Sequence, residues 1–193
     1  MKMNEVFGDS YDFLFLFEHS NCTFRIEKTP TEWRGYYNVG DTEFVAKIEM
    51  GNITIEDHFI KFINFAFGAW DGTNIVYTLQ NNPNVNQHTV IGCANKFLID
   101  NLSHFTDADV VVFAATYNNY TPSEKYKTAQ DEVNARMRVC NLMARQIARA
   151  GGWGIMAEDI TIPNGKATLI RTKHIEHINT QTIISFLRDM GKL

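Results

Sequence analysis

Few residues in this chain have types and spacing that could do chemistry. His174 and His177 form an HxxH pair, and paired imidazoles are ligands that zinc accepts. No third ligand is readable near them, so we expect two solvated imidazoles in a loop and predict no metal site. The sequence also lacks HExxH, GxSxG and GxxxxGKS/T motifs, so the common hydrolase and nucleotide-binding functions have no support.

Four arginines lie on the longest predicted helix, Ser123–Ala150: Arg136, Arg138, Arg145 and Arg149. At 100° per residue the last three project within about 40° of one another. Such a basic ridge is either a solvated face or a docking surface for an acidic partner.

Arg136 is different, because helical arithmetic places it between Met143 and Ile147 on the apolar face. An unpaired charge there is costly. We therefore expect Arg136 to meet a carboxylate, a set of carbonyls or a phosphate, or to reach solvent past the edge of the helix.

The elements that must position these residues lie between Asn74 and Trp153. Apolar patterning predicts strand, helix, strand, helix: Asn74–Gln80, a helix from Gln87, Asp109–Ala115 and Ser123–Ala150. The strand Asp109–Ala115 is a continuous apolar run, which is typical of a strand buried on both faces. We expect the two strands to be parallel neighbours joined by a right-handed crossover through the first helix.

The flanking segments predict antiparallel structure. Four strands precede the central stretch: Phe24–Lys28, Trp33–Val39, Glu43–Met50 and His58–Trp70. A hairpin turning at Asn164-Gly165 spans Asp159–Arg171, and a last helix begins at Thr180. The sequence therefore predicts one α+β domain over residues 1–193, with a mixed, mostly antiparallel sheet flanked by helices.

Composition limits the classes of partner. The net charge of −4 and pI near 5.8 argue against nucleic-acid binding, which needs uncompensated Lys or Arg. No apolar stretch approaches the roughly 20 residues of a membrane span, and no signal peptide is recognisable. We expect a protein of the cytoplasm that is neither secreted nor membrane-bound.

The three cysteines, Cys22, Cys93 and Cys140, are widely spaced and form no CxxC pair. Neither a zinc ribbon nor a disulfide framework follows from this spacing. We expect all three thiols to be free.

Four segments of the central stretch carry a resemblance to a known family. They are Thr89–Leu98, Asp109–Ala115, the Arg-rich run from Arg136 to Met143, and Trp153. The chain resembles bacteriophage proteins that have a reduced version of the Gcn5-related N-acetyltransferase (GNAT) fold. The element order, with strand–helix–strand–helix–hairpin in the C-terminal two thirds, is that of the fold, and its usual first helices are missing.

The resemblance implies possible contacts with acetyl-coenzyme A. The family binds the pyrophosphate on backbone N–H groups at the start of the helix after its fourth strand, where small residues are needed. The matching residues here are Thr89, Gly92 and Ala94, with Thr89 in place of the family's Arg or Gln. Close packing of the helix against a sheet also requires small residues, so both interpretations of Gly92 and Ala94 stay open.

The resemblance also implies where an acid and a base would lie. The family's proton-donating Tyr aligns with Cys140 or Asn141, and Cys140 on the apolar face is also expected as a small core residue. Glu158 and Asp159 border the acceptor site of the resembled fold, where either is a candidate general base acting through water.

Two functions follow from the resemblance. The first is a phage-type GNAT-like protein that has lost or reduced its chemistry and serves as a virion component or a binder of a host protein, found in the host cytoplasm or the virion. The second is an N-acyltransferase dependent on acetyl-coenzyme A. The departures at Thr89 and Cys140 favour the first, with a protein partner or self-assembly.

Overall fold

The computed structural model describes residues 21–76, 84–116, 126–151, 153 and 155–193. Their strands are β1 (Arg25–Lys28), β2 (Glu32–Val39), β3 (Thr42–Ile55), β4 (His58–Trp70), β5 (Ile75–Val76), β6 (Val110–Thr116), β7 (Ile155–Ile162) and β8 (Gly165–Arg171). Their helices are α1 (Gln87–Leu102), α2 (Ala129–Gly151) and α3 (Thr180–Asp189), with short 3-10 turns at Ser103–Phe105 and Lys173–Ile175.

The sheet is mixed and mostly antiparallel. The strands pair in the order β1-β2-β3-β4-β6-β8-β7, and β5 pairs with β4. β6 is parallel to β4, with Phe62 opposite Val110 and Phe65 opposite Phe113. β1 is antiparallel to β2, β5 to β4, and β8 to both β6 and β7. The predicted α+β class with a mixed, mostly antiparallel sheet is therefore confirmed.

The predicted parallel pairing of Asn74–Gln80 with Asp109–Ala115 is wrong for the described part of the first strand. β5 pairs with the end of β4, and β6 has β4 and β8 as its two neighbours. Asp109, the residue before β6, helps to hold β6 beside β4. Its N–H donates to the carbonyl of Lys61 and its carboxylate accepts from the N–H of Lys61, both at 2.8 Å. An apolar run predicts burial but not the identity of the neighbouring strand. Residues 77–80 lie outside the described residues.

The described residues form two compact units, and the first contains 21–28, 33–47, 67–76 and 84–101. Its core is built on α1, where the side chain of Phe97 is fully buried and its ring lies 5.4 Å from that of Phe24. Gly35 leaves the room that this ring needs, since a Cβ there would overlap it. The buried hydroxyl of Tyr37 donates to the carbonyl of Val90 at 3.0 Å, which satisfies this polar group inside the core.

A disulfide joins Cys22 to Cys93 in this unit, with Cα atoms 5.6 Å apart. The prediction of three free thiols is therefore wrong for these two and confirmed for Cys140. The two residues are 71 positions apart in the chain, so sequence spacing contains no sign of their proximity. Packing of the segment before β1 against α1 brings them together.

The second unit contains the described residues 29–32, 48–66, 102–116, 126–151, 153 and 155–193. α3 packs on one face of its sheet, where Ile183, Ile184 and Leu187 join a cluster with residues of β3, β4, β6, β7 and β8. α2 packs against β6, β7 and β8. The side chains of Val110 to Phe113 on β6 are all buried, as the apolar run predicted.

α2 begins later than predicted. Its first residue is Ala129, and Thr128 caps it: the N–H of Asp131 donates to the Thr128 hydroxyl at 3.1 Å, and that hydroxyl donates to the Asp131 carboxylate at 2.7 Å. The predicted cap, Ser123, lies outside the described residues. The last helix starts at Thr180 as predicted, and the side chain of Asn179 caps it by accepting from the N–H of Gln181.

Candidate functional site

The largest group of residues that the sequence singles out lies on α2. The face of this helix turned to the sheet is apolar and buried, with Val133, Met137, Cys140, Ala144 and Ile147. Polar side chains also reach from α2 to the strands, among them Arg136, Asn141 and Arg145. The last two belong to what we call the polar cluster, which comprises Asn141, Arg145, Glu158, Asp159 and Thr168.

The centre of the polar cluster is a buried hydrogen bond at a β-bulge. Thr168 is fully buried on β8, and its hydroxyl donates to the side-chain oxygen of Asn141. The register of β7 on β8 shifts between Ala157 and Ile160, so two residues of β7 oppose Thr168 alone. One of them, Asp159, has a left-handed backbone with φ of 53°. Its N–H donates to the Thr168 hydroxyl at 3.4 Å.

The other bulge residue, Glu158, is held by Arg145. The guanidinium donates from Nε to Oε1 and from Nη2 to Oε2, each at 2.6 Å, which is a bidentate pair. The hydrogen bond to Glu158 raises the pKa of Arg145, and the charge of Asp159 adds to this effect. Because both oxygens of Glu158 accept from Arg145, this candidate base is already engaged.

Arg136 meets a carbonyl. Its Nη1 donates to the backbone oxygen of Thr116 at the end of β6, at 3.1 Å, and the contact is partly buried. Of the partners expected from its place on the apolar face, the structure therefore supplies a carbonyl. This contact gives the arginine a structural role, because it joins α2 to β6.

The ridge of three arginines is divided by these contacts. Arg145 pairs with Glu158 of β7, and Arg138 and Arg149 are both exposed to solvent on α2. The two exposed residues are eleven positions apart, so they lie on one side of the helix about 16 Å from each other. The helix thus carries an exposed cation on either side of an ion pair.

Cys140 is buried beside Arg136. Burial raises the pKa of its thiol to about 11, and the charge of Arg136 opposes that rise. A thiol with this pKa is protonated at neutral pH, so it is not a thiolate nucleophile. Its burial keeps a substrate away from its proton. The interpretation of Cys140 as a small core residue fits its surroundings.

The residues expected to hold pyrophosphate lie inside α1. The helix begins at Gln87, and the side chain of Asn86 caps it by accepting from the N–H of His88 at 3.0 Å. Gly92 and Ala94 are buried in the second turn and beyond, where helical geometry engages their N–H groups. Thr89 is closer to the helix start and half-buried. Of the two interpretations of Gly92 and Ala94, close packing of the helix therefore explains their position.

The sequence analysis did not identify His58, whose imidazole contacts that of His177. His177 meets His58 at the start of β4, with their Nε2 atoms 3.1 Å apart, and the side chain of His174 is outside what the structure describes. The sequence gives no signal for this pair, because the two residues are 119 positions apart. Across the described residues, no group of three or more His, Cys, Asp or Glu side chains is arranged to hold a metal ion.

Comparisons with family models, with curated proteins and with solved structures find no match to this chain. In the part of the chain that the structure describes, no helix combines the length and apolar character that crossing a bilayer needs.

Proposed function

We propose that this chain is a GNAT-like domain of the phage type that acts by binding a protein, as a virion component or a binder of a host protein, and not by acyl transfer. The observation on which the proposal chiefly rests is the engagement of the candidate catalytic groups. Glu158 accepts two hydrogen bonds from Arg145, and the Cys140 thiol is buried with its pKa raised to about 11. Glu158 is thus already engaged by Arg145, and burial separates the Cys140 thiol from any substrate at the surface.

The arrangement of strands supports the GNAT-like part of the proposal. A helix, α1, stands between β5 and β6 in the chain, and β6 is parallel to β4. The hairpin of β7 and β8 folds back on the sheet, so that β8 lies between β6 and β7. Antiparallel strands, then helix, strand, helix and hairpin are the order that the resemblance implies.

The position of the small residues on α1 supports the loss of chemistry. A phosphate cradle needs N–H groups that no carbonyl already satisfies, and in a helix such groups occur in the first turn. Gly92 and Ala94 lie beyond that turn of α1, and both are buried. The small residues of the family pattern are therefore accounted for by packing in this chain.

The exposed arginines of α2 are the surface that we assign to binding. Arg138 and Arg149 lie on one side of the helix, and both are exposed. Cations held on a rigid helix attract an acidic surface and set its orientation. The chain has a net charge of −4, so a second copy is itself one acidic partner.

Sedimentation velocity on the purified chain tests the binding proposal in its self-assembly form. Reversing both exposed charges, Arg138→Glu with Arg149→Glu, is expected to weaken association, and added salt is expected to weaken it in the wild type because exposed charges are screened. Lys127→Glu, an exposed change just before α2, is the matched control. If the strength of association is the same in the double variant as in the wild type and does not change with salt, the assignment of this surface is contradicted.

One observation favours the alternative, an N-acyltransferase dependent on acetyl-coenzyme A. The resemblance implies an acid near Cys140 or Asn141, and Asn141 is bonded to the Thr168 hydroxyl beside the left-handed Asp159. Buried polar groups at a bulge are a common feature of active sites. This alternative predicts release of free coenzyme A thiol from acetyl-coenzyme A, and a loss of that release in Thr168→Val.

A further inference from the structure

Two imidazoles meet on the surface of the second unit. The Nε2 atoms of His58 and His177 are 3.1 Å apart, and their ring centres are 4.6 Å apart with an angle of 62° between the planes. Both residues are exposed, so an ion from solvent has access to the nitrogens. Neither residue has a part in the polar cluster on α2.

His58 is held in place by a tight turn. It is the first residue of β4, and the two residues before it, Glu56 and Asp57, have φ of 49° and 65°. Successive left-handed residues are typical of a two-residue hairpin turn, here between β3 and β4. Ile60, two residues on, is fully buried and anchors the strand. The backbone that presents His58 is therefore fixed on both sides.

His177 is held by the turn that leads into α3. The buried side chains of Ile175 and Ile178 flank it. The N–H of Ile178 donates to the carbonyl of Ile175 at 3.0 Å, and the guanidinium of Arg171 donates to the carbonyl of Ile178. Two short segments with anchored backbones thus present their imidazoles to each other, and little conformational freedom remains to be lost on binding a ligand.

We propose that His58 and His177 form a two-histidine site for a divalent transition-metal ion of the class that imidazole favours, namely zinc, nickel or copper. Imidazole nitrogen is the protein ligand that these ions share. Each neutral ring supplies one lone pair from Nε2, and solvent fills the remaining positions of the ion. The described residues provide no third side-chain ligand.

The distances fit chelation. At a metal–nitrogen distance of about 2.05 Å, nitrogens separated by 3.1 Å subtend an angle of about 98° at the ion, between square-planar and tetrahedral values. Chelation at that angle places the ring centres about 4.9 Å apart, whereas a collinear N–H···N hydrogen bond places them about 5.4 Å apart. The observed 4.6 Å is nearer to the chelating arrangement.

The surrounding charge favours a cation. Glu56 and Asp57 directly precede His58, and Glu176 directly precedes His177; all three acidic residues are exposed. Lys173 is the exposed cation on the same turn as His177. Three exposed acidic residues adjoin the pair, against Lys173 and the partly buried Arg171 whose guanidinium donates to the carbonyl of Ile178. This excess of negative charge raises the local concentration of cations.

A bound ion would link two parts of the second unit that are 119 residues apart in the chain. It would connect the β3–β4 turn to the turn before α3 through metal–ligand bonds. Because the unfolded chain does not hold both imidazoles together, the ion binds the folded state preferentially and stabilises it.

Calorimetric titration of the purified chain with Zn²⁺ and with Ni²⁺ tests the proposal. We expect one ion per chain for each metal, a higher unfolding temperature with metal present, and full reversal by a chelator. His58→Asn and His177→Asn should each weaken binding at least about tenfold, which corresponds to about 1.4 kcal/mol. His104→Asn, an exposed histidine on another turn, is the matched control and should bind as the wild type does.

Two further measurements separate binding at this pair from unfolding of a variant and from binding at another histidine. Far-UV circular dichroism and the metal-free unfolding temperature establish that each variant is folded, as expected because both positions are exposed. Binding that survives in His58→Asn but is lost in His174→Asn would assign the ion to the HxxH pair and overturn the proposal. An absence of saturable binding, or equal affinity in the wild type and both variants, would overturn it as well.

Discussion

The hydroxyl of Thr168 on β8 donates a hydrogen bond to the side-chain oxygen of Asn141 on α2, and both residues are buried. The same hydroxyl accepts from the N–H of Asp159 at the bulge of β7. One threonine therefore connects the long helix to both strands of the closing hairpin. Asn141 is also one of the two helix positions, with Cys140, at which the proposed alternative, an N-acyltransferase, would have its acid.

Thr168→Val is expected to lower the free energy of unfolding by about 1–3 kcal/mol, because it leaves the oxygen of buried Asn141 without this donor. Thr161→Val on β7 is the matched control, since Thr161 is exposed, and its effect should stay within about 0.5 kcal/mol. Chemical denaturation measures both. Equal, small effects would show that the buried bond contributes little.

Arg136→Ala is expected to cost about 1.5–3 kcal/mol, the scale of a hydrogen bond to a charged group. One partner of Arg136 is the carbonyl of Thr116, which is uncharged, so loss of this contact leaves no buried charge behind. Arg138→Ala, an exposed position on the same helix, should cost about 0.5 kcal/mol or less. Denaturation curves of the two variants measure the difference, and a cost for Arg136→Ala no larger than that of Arg138→Ala would contradict the structural role of Arg136.

Alkylation of the unfolded, unreduced chain should modify one thiol, that of Cys140. Closing a loop of 71 residues through Cys22 and Cys93 stabilises the folded state by roughly 4 kcal/mol, mainly by restricting the unfolded chain. A reductant should therefore lower the stability of the wild type but leave Cys22→Ser unchanged. Three modified thiols in the mass spectrum would exclude the disulfide.

Stability should fall in alkaline solution because of Cys140. Its folded pKa of about 11 lies above the ordinary value of 9.0, so its contribution is fully present below pH 9 and is lost as the pH rises towards 11. The full loss is on the order of 3 kcal/mol. Burial also raises the pKa of Tyr37, but Tyr37 is present in both proteins compared. Unfolding of Cys140→Ala should show a shallower alkaline decline, and identical pH slopes would contradict this assignment.

The sequence predicted most elements because local patterns determine them. The continuous apolar run of β6, the existence of the β7–β8 hairpin and the start of α3 at Thr180 were recognised from nearby residues. The hairpin turns at Pro163-Asn164, one residue before the predicted Asn164-Gly165, because Gly165 already pairs with Ile162. The parallel partner of β6 was not recognised. Whether β6 pairs with β4 or with β5 depends on the lengths and burial of whole strands, which no short stretch of sequence reveals. The start of α2 was missed because Thr128 is as good a cap as Ser123.

The sequence predicted polar contacts only where the angle of 100° per residue places a side chain on a known face of a helix. Arg136 was placed on the apolar face of α2, and its need for a partner followed from that position. The bulge that places Glu158 and Asp159 opposite Thr168 has no local signal, since it depends on the register of two strands. The disulfide of Cys22 and Cys93 was missed for a related reason, because tertiary packing alone brings distant residues together.

Calorimetric titration with acetyl-coenzyme A, together with thermal unfolding in its presence, tests the central proposal most directly. The engaged Glu158, the buried Cys140 and the placement of Gly92 inside α1 predict no saturable heat and no change in unfolding temperature. A ligand present at 100 times its Kd would add about 2.7 kcal/mol of stability. Saturable binding with that stabilisation, accompanied by release of free coenzyme A thiol, would contradict the proposal that this domain binds protein in place of acyl transfer.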